Sequence, residues 1–274
     1  MAAETTTVSP SNTATSSPLQ LDDRVAIVTG GSRGIGKAIA LHLASLGANL
    51  VVNYNSNSTQ TDLVVSEINS KFPSQSQSPR AISVKADVSD PIQVKNLFDS
   101  AQSAFDSPLY IVVNAAGIID SSYASIANSS VEEFDRIFSV NTRGAYLCCK
   151  EAANRLKQGG GGRIICLTSS TVVALRPGFG AYAASKAAVE AMVKIMAKEL
   201  KGTRITANCV APGPIATDMF YEGKTEAMVN KAVDESPLGR LGLPEDVSPV
   251  VGFLASDAGE WVNGQIVRVN GGYI

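Results

Sequence analysis

The chain is poor in the residues on which many catalytic sites are built. Its 274 residues contain one histidine, one tryptophan and four cysteines. The single histidine, His42, lies among apolar residues in a predicted helix. A serine–histidine–aspartate triad would have to use this histidine, and its place in that helix argues against such a triad. Because no second histidine and no Cys-x-x-Cys pair is present, the sequence disfavours a zinc site, and we expect no metal.

The four cysteines do not have the pattern of a disulfide framework. Cys148 and Cys149 are adjacent in a predicted helix, and Cys166 and Cys209 fall in predicted strands. Such a spread is typical of buried free thiols in a reducing compartment. We therefore expect a cytoplasmic protein, with a plastid as the alternative.

The charged residues indicate no nucleic-acid or membrane partner. There are 23 lysine and arginine residues against 25 aspartate and glutamate residues, and the net charge is −2. No basic cluster interrupts this balance, and no apolar run approaches the roughly 18 residues of a membrane span. The length and the 45% apolar content fit one domain with a sizeable core, over residues 21–274.

Residues 1–20 differ from the rest of the chain. They are rich in serine, threonine, proline and alanine and contain no lysine or arginine. They lack the apolar core of a secretory signal. Serine enrichment is also found in transit peptides, but those are arginine-rich and amphipathic. We predict a disordered tail.

Strand-like and helix-like segments alternate from Arg24 onward. Unbroken β-branched runs such as Val25–Val28 and Tyr110–Val113 indicate strands that are buried on both faces. The alternation predicts an α/β fold, a doubly wound parallel sheet (Rossmann fold) of seven strands with helices on both faces. Such sheets bind ligands at the carboxyl ends of their strands. Two helices, Val131–Phe138 and Thr142–Lys157, are expected between the fourth and fifth strands.

A glycine-rich turn follows the first predicted strand. Residues 29–36 have the spacing T-G-x-x-x-G-x-G, and a helix with apolar positions at Ile35, Ile39 and Leu43 comes next. Glycines permit a tight turn and let the backbone approach a pyrophosphate at the helix N-terminus. The strand, the turn and the helix together predict a dinucleotide site.

Tyr182 and Lys186 are four residues apart, thirteen and seventeen residues after Ser169. On a helix, positions i and i+4 lie on one face, roughly 5–6 Å apart. An ammonium this close to a phenol favours the phenolate, so we expect a lowered pKa for Tyr182. A phenol that titrates nearer neutrality can donate a proton to a carbonyl oxygen. The alternative is an ordinary surface pair.

These motifs occur together with Asn114-Ala115-Ala116-Gly117, Asn141 and Pro212-Gly213. In this order and spacing they resemble the short-chain dehydrogenase/reductase family, over roughly Leu21 to the C-terminus. Within the family the chain is most similar to plant NADPH-dependent aldehyde reductase-like proteins and to bacterial 3-oxoacyl-carrier-protein reductases. The departure is Ala115, where the family more often has a second asparagine.

The resemblance implies a role for each catalytic candidate. Tyr182 would be the proton donor, and Lys186 would also bind the nicotinamide ribose hydroxyls. Ser169 would hydrogen-bond the substrate oxygen, although neighbouring hydroxyls are rivals. Asn141 would hold a water that links Lys186 to solvent, and its alternative role is a helix cap. The rival hydroxyls belong to Thr168, Ser170 and Thr171.

The end of the second strand indicates the cofactor. Family members that use NAD have an acidic residue there, whereas residues 51–56 contain none. Arg33 could pair with a 2′-phosphate, so we predict NADPH/NADP+; a neutral loop without preference is the alternative. The predicted cofactor contacts are Gly30, Ser32, Arg33, Gly34, Ile35, Gly36, Asn53, Tyr54, Asn55, Ser56, Ala86, Asp87, Val88, Asn114, Ala115, Ala116, Gly117, Tyr182, Lys186, Pro212, Gly213, Ile215 and Thr217.

Residues 215–240 follow the last of these motifs and predict a substrate lid. Met219 and Phe220 would contact a hydrophobic carbonyl substrate together with Ser169 and Tyr182. A surface helix that packs its own apolar face is the alternative.

The expected function is NADPH-dependent reduction of a small or hydrophobic aldehyde or ketone. A 3-oxoacyl-carrier-protein reductase and a catalytically silent dinucleotide-binding scaffold are the alternatives. The helices Thr142–Lys157 and Tyr182–Leu200 carry many small residues. Family members commonly pair these two helices across two-fold axes, so a homodimer or homotetramer is expected.

Overall fold

Seven parallel strands form one sheet in the computed structural model, which describes residues 19–74 and 78–274. The strand order is β3-β2-β1-β4-β5-β6-β7, as predicted for a doubly wound sheet. The strands are β1 (Val25–Thr29), β2 (Asn49–Tyr54), β3 (Ala81–Lys85), β4 (Leu109–Asn114), β5 (Arg163–Leu167), β6 (Thr206–Pro212) and β7 (Ile266–Val269).

Helices connect the strands and cover both faces of the sheet. None of those in the described part of the chain is both long and apolar enough to cross a membrane. The α-helices are α1 (Gly34–Ser45), α2 (Ser58–Lys71), α3 (Pro91–Ala104), α4 (Val131–Phe138), α5 (Ala145–Arg155), α6 (Thr171–Ala174), α7 (Gly180–Glu199), α8 (Asp218–Tyr221), α9 (Glu226–Asp234) and α10 (Pro244–Ala255).

Two apolar clusters lie on opposite faces of the sheet. Side chains of β1 alternate between them: Val25 and Ile27 belong to one cluster, Ala26 and Val28 to the other. Helices α3, α5 and α7 contribute to the first cluster, and α1, α2 and α10 contribute to the second. Each fully buried large aliphatic side chain contributes about 1.5–3 kcal/mol to folding. This burial on both faces explains the unbroken apolar strands.

The chain reverses its direction of progress across the sheet between β1 and β4. The connection from β1 leads to β2 on one side, whereas β4 lies on the other side of β1. The Thr29 hydroxyl at the end of β1 accepts hydrogen bonds from the backbone N–H groups of Ala115 and Ala116, both at 3.1 Å. A crevice opens at such a reversal, outside the carboxyl ends of the strands.

The segment between α4 and α5 differs from the prediction. Residues Ser139–Gly144 form a π-helical turn that joins α4 to α5, so the expected separate helix from Thr142 to Lys157 is wrong at its start, and it ends at Arg155. Gly144 packs against the loop that follows β3, where an added Cβ would lie 2.8 Å from a methyl carbon of Val88. Turns of this kind are frequent at functional sites.

The predicted N-terminal tail lies almost wholly outside the described residues. Only Leu19 and Gln20 of residues 1–20 are described, and both are exposed. The disorder of this segment therefore stays a prediction.

Candidate active site

A cleft of about 880 Å³ opens at the carboxyl edge of the sheet. It extends from the glycine turn to helices α8 and α9. Its walls include nearly all the residues predicted to contact cofactor or substrate. These are Gly30, Ser32, Arg33, Gly34, Ile35, Gly36, Asn53, Tyr54, Asn55, Ser56, Ala86, Asp87, Val88, Ala115, Ala116, Gly117, Ser169, Tyr182, Lys186, Pro212, Gly213, Ile215, Thr217, Met219 and Phe220.

The glycine turn has the shape that its sequence predicts. Gly30 and Gly34 have φ angles of 61° and 53°, in the left-handed region that favours glycine. A Cβ on Gly36 would lie 2.3 Å from the Gly30 carbonyl oxygen, so helix α1 begins in close contact with the turn. Backbone N–H groups at the start of a helix that borders an open cleft fit a pyrophosphate.

Asn53 lines the cleft, and its side chain supports the glycine turn from beneath; its contact with a cofactor stays a prediction. Its side chain is buried and donates to the carbonyls of Val84 (3.2 Å) and Ala86 (3.0 Å). Its oxygen accepts from the Gly30 N–H at 3.4 Å. With its donors used on backbone, Asn53 has none for a phosphate, and the exposed Asn55 is the free amide of this segment.

Arg33 and Asp218 face each other at the end of the cleft that contains the glycine turn. The Arg33 side chain is 68% exposed, and its Nη1 lies 3.7 Å from an Asp218 carboxylate oxygen. A pair this long and this exposed contributes little to stability. The guanidinium is therefore available to an anionic ligand.

Asp87 is a loop-capping residue that also lines the cleft. One of its carboxylate oxygens accepts from the backbone N–H and the hydroxyl of Ser89, both at 2.8 Å. The Asp87 N–H donates to the Gln93 side chain at 2.9 Å. These bonds fix the loop between β3 and α3 against the cleft.

Asn114 does not line the cleft, contrary to the prediction. Its side chain is buried in the core, where the amide nitrogen lies 3.3 Å from the Cys166 sulfur and 3.5 Å from the Cys149 sulfur. The cause is strand alternation, because the last residue of β4 points into the helix layer. The backbone of Ala115–Gly117 lines the cleft instead. All four cysteines are free and buried, as expected.

Tyr182, Ser169 and Lys186 converge at the centre of the cleft. Tyr182 lies in the first turn of α7, and a side-chain hydrogen bond links it to Ser169 at the end of β5. The Ser169 hydroxyl also accepts from the N–H and the hydroxyl of Thr171, at 3.2 Å and 2.9 Å. The Lys186 ammonium donates to the Leu167 carbonyl at 2.9 Å and lies 5.9 Å from the centre of the Tyr182 ring.

The electrostatics of this group correct one expectation. Desolvation raises the pKa of Tyr182, and the hydrogen bond with Ser169 opposes that rise only in part. Burial lowers the pKa of Lys186 to about 8. The expected lowering of the Tyr182 pKa by Lys186 is therefore wrong for the protein alone, because the ammonium bonds to Leu167 and burial dominates. Tyr182 is a neutral phenol with a proton to donate.

Asn141 lies directly behind this group and does not line the cleft. Its amide donates to the Ile118 carbonyl (2.9 Å) and the Ser185 hydroxyl (3.0 Å), and its oxygen accepts from the Ile118 N–H (2.8 Å). A Cβ on Gly117 would lie 3.2 Å from the Lys186 nitrogen and 3.4 Å from the Asn141 oxygen. Asn141 thus joins the loop after β4 to helix α7.

The wall of the cleft next to the predicted lid at residues 215–240, called the lid side below, contains residues that the sequence motifs did not indicate. Arg176 forms an ion pair with Glu235 and stacks on Tyr273, with its guanidinium 5.0 Å from the ring centre. Lys224 and Phe179 also line this wall. The five residues named for this wall come from four separate segments of the chain, so no local sequence spacing could have predicted that they meet. Outside the masked positions, no cluster of residues could hold a metal ion.

A parallel sheet whose connections change direction at β1, with a glycine turn at its carboxyl edge, is typical of the α/β proteins that bind dinucleotides. Comparison with known proteins is more specific. A family model described as Enoyl-(Acyl carrier protein) reductase matches residues 30–274. Two plant relatives are an NADPH-dependent aldehyde reductase-like protein, chloroplastic, from Arabidopsis thaliana, and a short-chain type dehydrogenase/reductase from Picea abies. The first is 66% identical over 94% of this chain and 96% of its own, the second 59% over 93% of each.

Solved structures agree with the sequence comparison. A short chain dehydrogenase from Burkholderia cenocepacia, in complex with NADP, superposes with a TM-score of 0.84. It is 33% identical, and the match covers 93% of this chain and 99% of that one. The chain belongs to the short-chain dehydrogenase/reductase family.

Replacing Asn141 tests whether its amide holds the π-helical turn in place. Asn141→Ala would leave the half-buried backbone N–H and carbonyl of Ile118 without their side-chain partner, which costs roughly 1–3 kcal/mol of unfolding free energy. Urea unfolding at one fixed protein concentration measures this loss. The control is Thr142→Val, which removes one hydroxyl bond to the Ser185 carbonyl at 3.1 Å. Equal losses in the two variants would show that Asn141 is no anchor.

Proposed function

We propose that the protein reduces the carbonyl group of small or hydrophobic aldehydes and ketones with NADPH, and that Tyr182 is the general acid. The observation that carries this proposal is the placement of a neutral, half-buried phenol between Ser169 and Lys186, in the cleft that begins at the glycine turn. The printed names of two relatives, both NADPH-dependent aldehyde reductases or reductase-like proteins, support the reaction class.

Three residues of the cleft have separate roles in the proposed reaction. NADPH supplies the hydride when it is bound. Negative charge grows on the carbonyl oxygen during reduction, and the Tyr182 hydroxyl donates its proton to that oxygen. The Ser169 hydroxyl donates a hydrogen bond to the same oxygen and orients it. The Lys186 ammonium, fixed by the Leu167 carbonyl, stabilises the phenolate that Tyr182 becomes.

NADPH is the preferred cofactor in this proposal. The strand end at residues 53–56 has no carboxylate to repel a 2′-phosphate, and Arg33 lies exposed beside it. The NADP named in the Burkholderia structure supports this choice. The Asp87 loop and the backbone of Ala115–Gly117 would hold the adenosine side.

A plastid location and a two-fold symmetric assembly complete the proposal. The names of two Arabidopsis relatives, 66% and 58% identical, include the word chloroplastic. The small residues along α5 and α7 let helices approach closely, which favours a homodimer or homotetramer.

Tyr182→Phe tests the general acid. We expect the rate of NADPH oxidation with an aldehyde panel to fall by about 10²- to 10⁴-fold, because the proton donor is gone. NADPH binding, followed by its fluorescence, should be unchanged. The control is Tyr146→Phe, which removes an exposed phenol on α5. Full turnover in Tyr182→Phe would contradict the mechanism, and tight NADPH binding without turnover in the unmodified protein would favour a silent scaffold.

The pH dependence of NADPH binding tests Lys186. The folded protein lowers the pKa of Lys186 to about 8, so the ammonium is present below that pH and is lost above it. We expect the affinity for NADPH to weaken as the pH rises from 7 to 10, with its onset near 8. Lys186→Arg keeps its charge over this range and should bind with little pH dependence. An unchanged profile in that variant would assign the titration to another group.

Arg33→Ala tests the choice of cofactor. Loss of a charge-assisted contact with the 2′-phosphate should weaken NADPH binding by about tenfold or more and leave NADH binding nearly unchanged. Asp218→Asn is the matched variant, because it removes the carboxylate 3.7 Å from Arg33 and should strengthen NADPH binding or leave it the same. If NADH bound the unmodified protein as tightly as NADPH, the preference would be refuted.

A further inference from the structure

Lys224 presents an ammonium group to the lid side of the cleft. It follows α8, and its nitrogen donates to the Phe220 carbonyl at 2.6 Å and to the Tyr123 hydroxyl. The same nitrogen lies 4.5 Å and 4.6 Å from the ring centres of Phe220 and Tyr123. The side chain is half-buried and lines the cleft. Four contacts with two aromatic residues and the backbone would be unusual for a lysine whose ammonium is only solvated at the surface.

The charge of Lys224 has no acidic partner within the described residues. The other two basic side chains of this wall, Arg176 and Lys231, both lie against Glu235. No carboxylate in residues 19–74 or 78–274 is within ion-pair distance of Lys224. An ammonium has three donors, and two are used here. One donor and one positive charge therefore remain for a ligand in the cleft.

The electrostatic cost of this arrangement favours an anion. Desolvation lowers the pKa of Lys224, and no opposing charge offsets that effect. A carboxylate bound beside the ammonium would stabilise its charged form and form a charge-assisted hydrogen bond. In the protein alone, the phenol of Tyr123 and a carbonyl occupy the other donors.

A row of aromatic rings connects Lys224 with the proposed reaction centre. The rings of Tyr182 and Phe179 are 6.5 Å apart, and those of Phe179 and Tyr123 are 5.2 Å apart. Lys224 lies at the far end of this row. Tyr182, Phe179 and Phe220 line the cleft together with Lys224. A flat apolar body could lie against these three rings, with a carbonyl at Tyr182 and a negative substituent at Lys224.

We propose that Lys224 selects carbonyl substrates that carry a carboxylate on the opposite side of an aromatic or similarly flat body from the reacting carbonyl. Lys224 is a specificity-determining residue in this proposal and takes no part in proton transfer. The proposal rests on the carbonyl reduction proposed above, and it adds a substrate class to that reaction.

Matched acids and esters separate charge from shape. The probes are 4-carboxybenzaldehyde against methyl 4-formylbenzoate, and the longer 4-formylcinnamate against its methyl ester. We expect kcat/KM of the unmodified protein to favour the acid of at least one pair by about tenfold or more. Lys224→Met should bring that acid-to-ester ratio close to one, mainly through KM for the acid.

Three further variants distinguish substrate recognition from a structural role. Lys224→Arg should keep most of the preference for the acid because it keeps the charge. Tyr123→Phe removes the hydroxyl that accepts from Lys224. It should lower kcat/KM for the acid and for the ester equally, so that the acid-to-ester ratio is preserved. Lys231→Met is the control for a basic residue on the same wall, and it too should preserve the ratio. Equal losses of acid and ester in Lys224→Met, or no preference in the unmodified protein, would overturn the proposal.

A binding measurement keeps this test independent of turnover. Calorimetric titration of 4-(hydroxymethyl)benzoate into protein saturated with NADP+ should give an affinity that falls about tenfold in Lys224→Met. Loss of binding in that variant, when no aldehyde is reduced by the unmodified protein, would refute the proposed function and support Lys224 as an anion site. Aldehyde reduction without any preference for the acids would support the proposed carbonyl reduction and refute the role of Lys224.

Discussion

The common direction of the seven strands is the constraint on which the rest of the structure depends. Because every strand runs the same way, every carboxyl end emerges at one edge of the sheet. The reversal between β1 and β4 then prevents helices from closing over that edge. Segments far apart in sequence, such as the glycine turn and the start of α7, therefore face one another across one cleft.

The centre of the cleft is held by polar groups that lie behind it. Asn141 bonds both backbone groups of Ile118 and the hydroxyl of Ser185, while Leu167 fixes the ammonium of Lys186. These bonds tie the loop after β4, the π-helical turn, β5 and α7 into one unit. The desolvation of Tyr182 and Lys186 follows from the same packing, so the pKa of each is a property of the assembled core rather than of the two side chains alone.

The cofactor side could be predicted from sequence almost residue by residue, because it is built from backbone. Glycines at fixed spacing and the ends of apolar strands leave a local record of where the backbone must approach a ligand. Asn114 is the informative failure, because strand alternation directs its amide into the core and away from the cleft. Lys186 fails in a similar way, since spacing gives its distance from Tyr182 but not the Leu167 carbonyl that holds it.

The residues of the lid side could not be predicted from local sequence motifs, because this wall is formed by single side chains of separate segments. Arg176, Lys224 and Tyr273 reach one wall from the loop between α6 and α7, the segment after α8 and the C-terminus. Lys224 contacts the loop after β4 at Tyr123, but within the described residues none of the three side chains bonds to Asn141, Ser185 or the Leu167 carbonyl. Substitution on this wall can therefore change which carbonyl compound is accepted while the geometry for proton donation persists. The positive charge at this wall therefore depends on the single side chain of Lys224 and not on the bonds that hold Tyr182 in place.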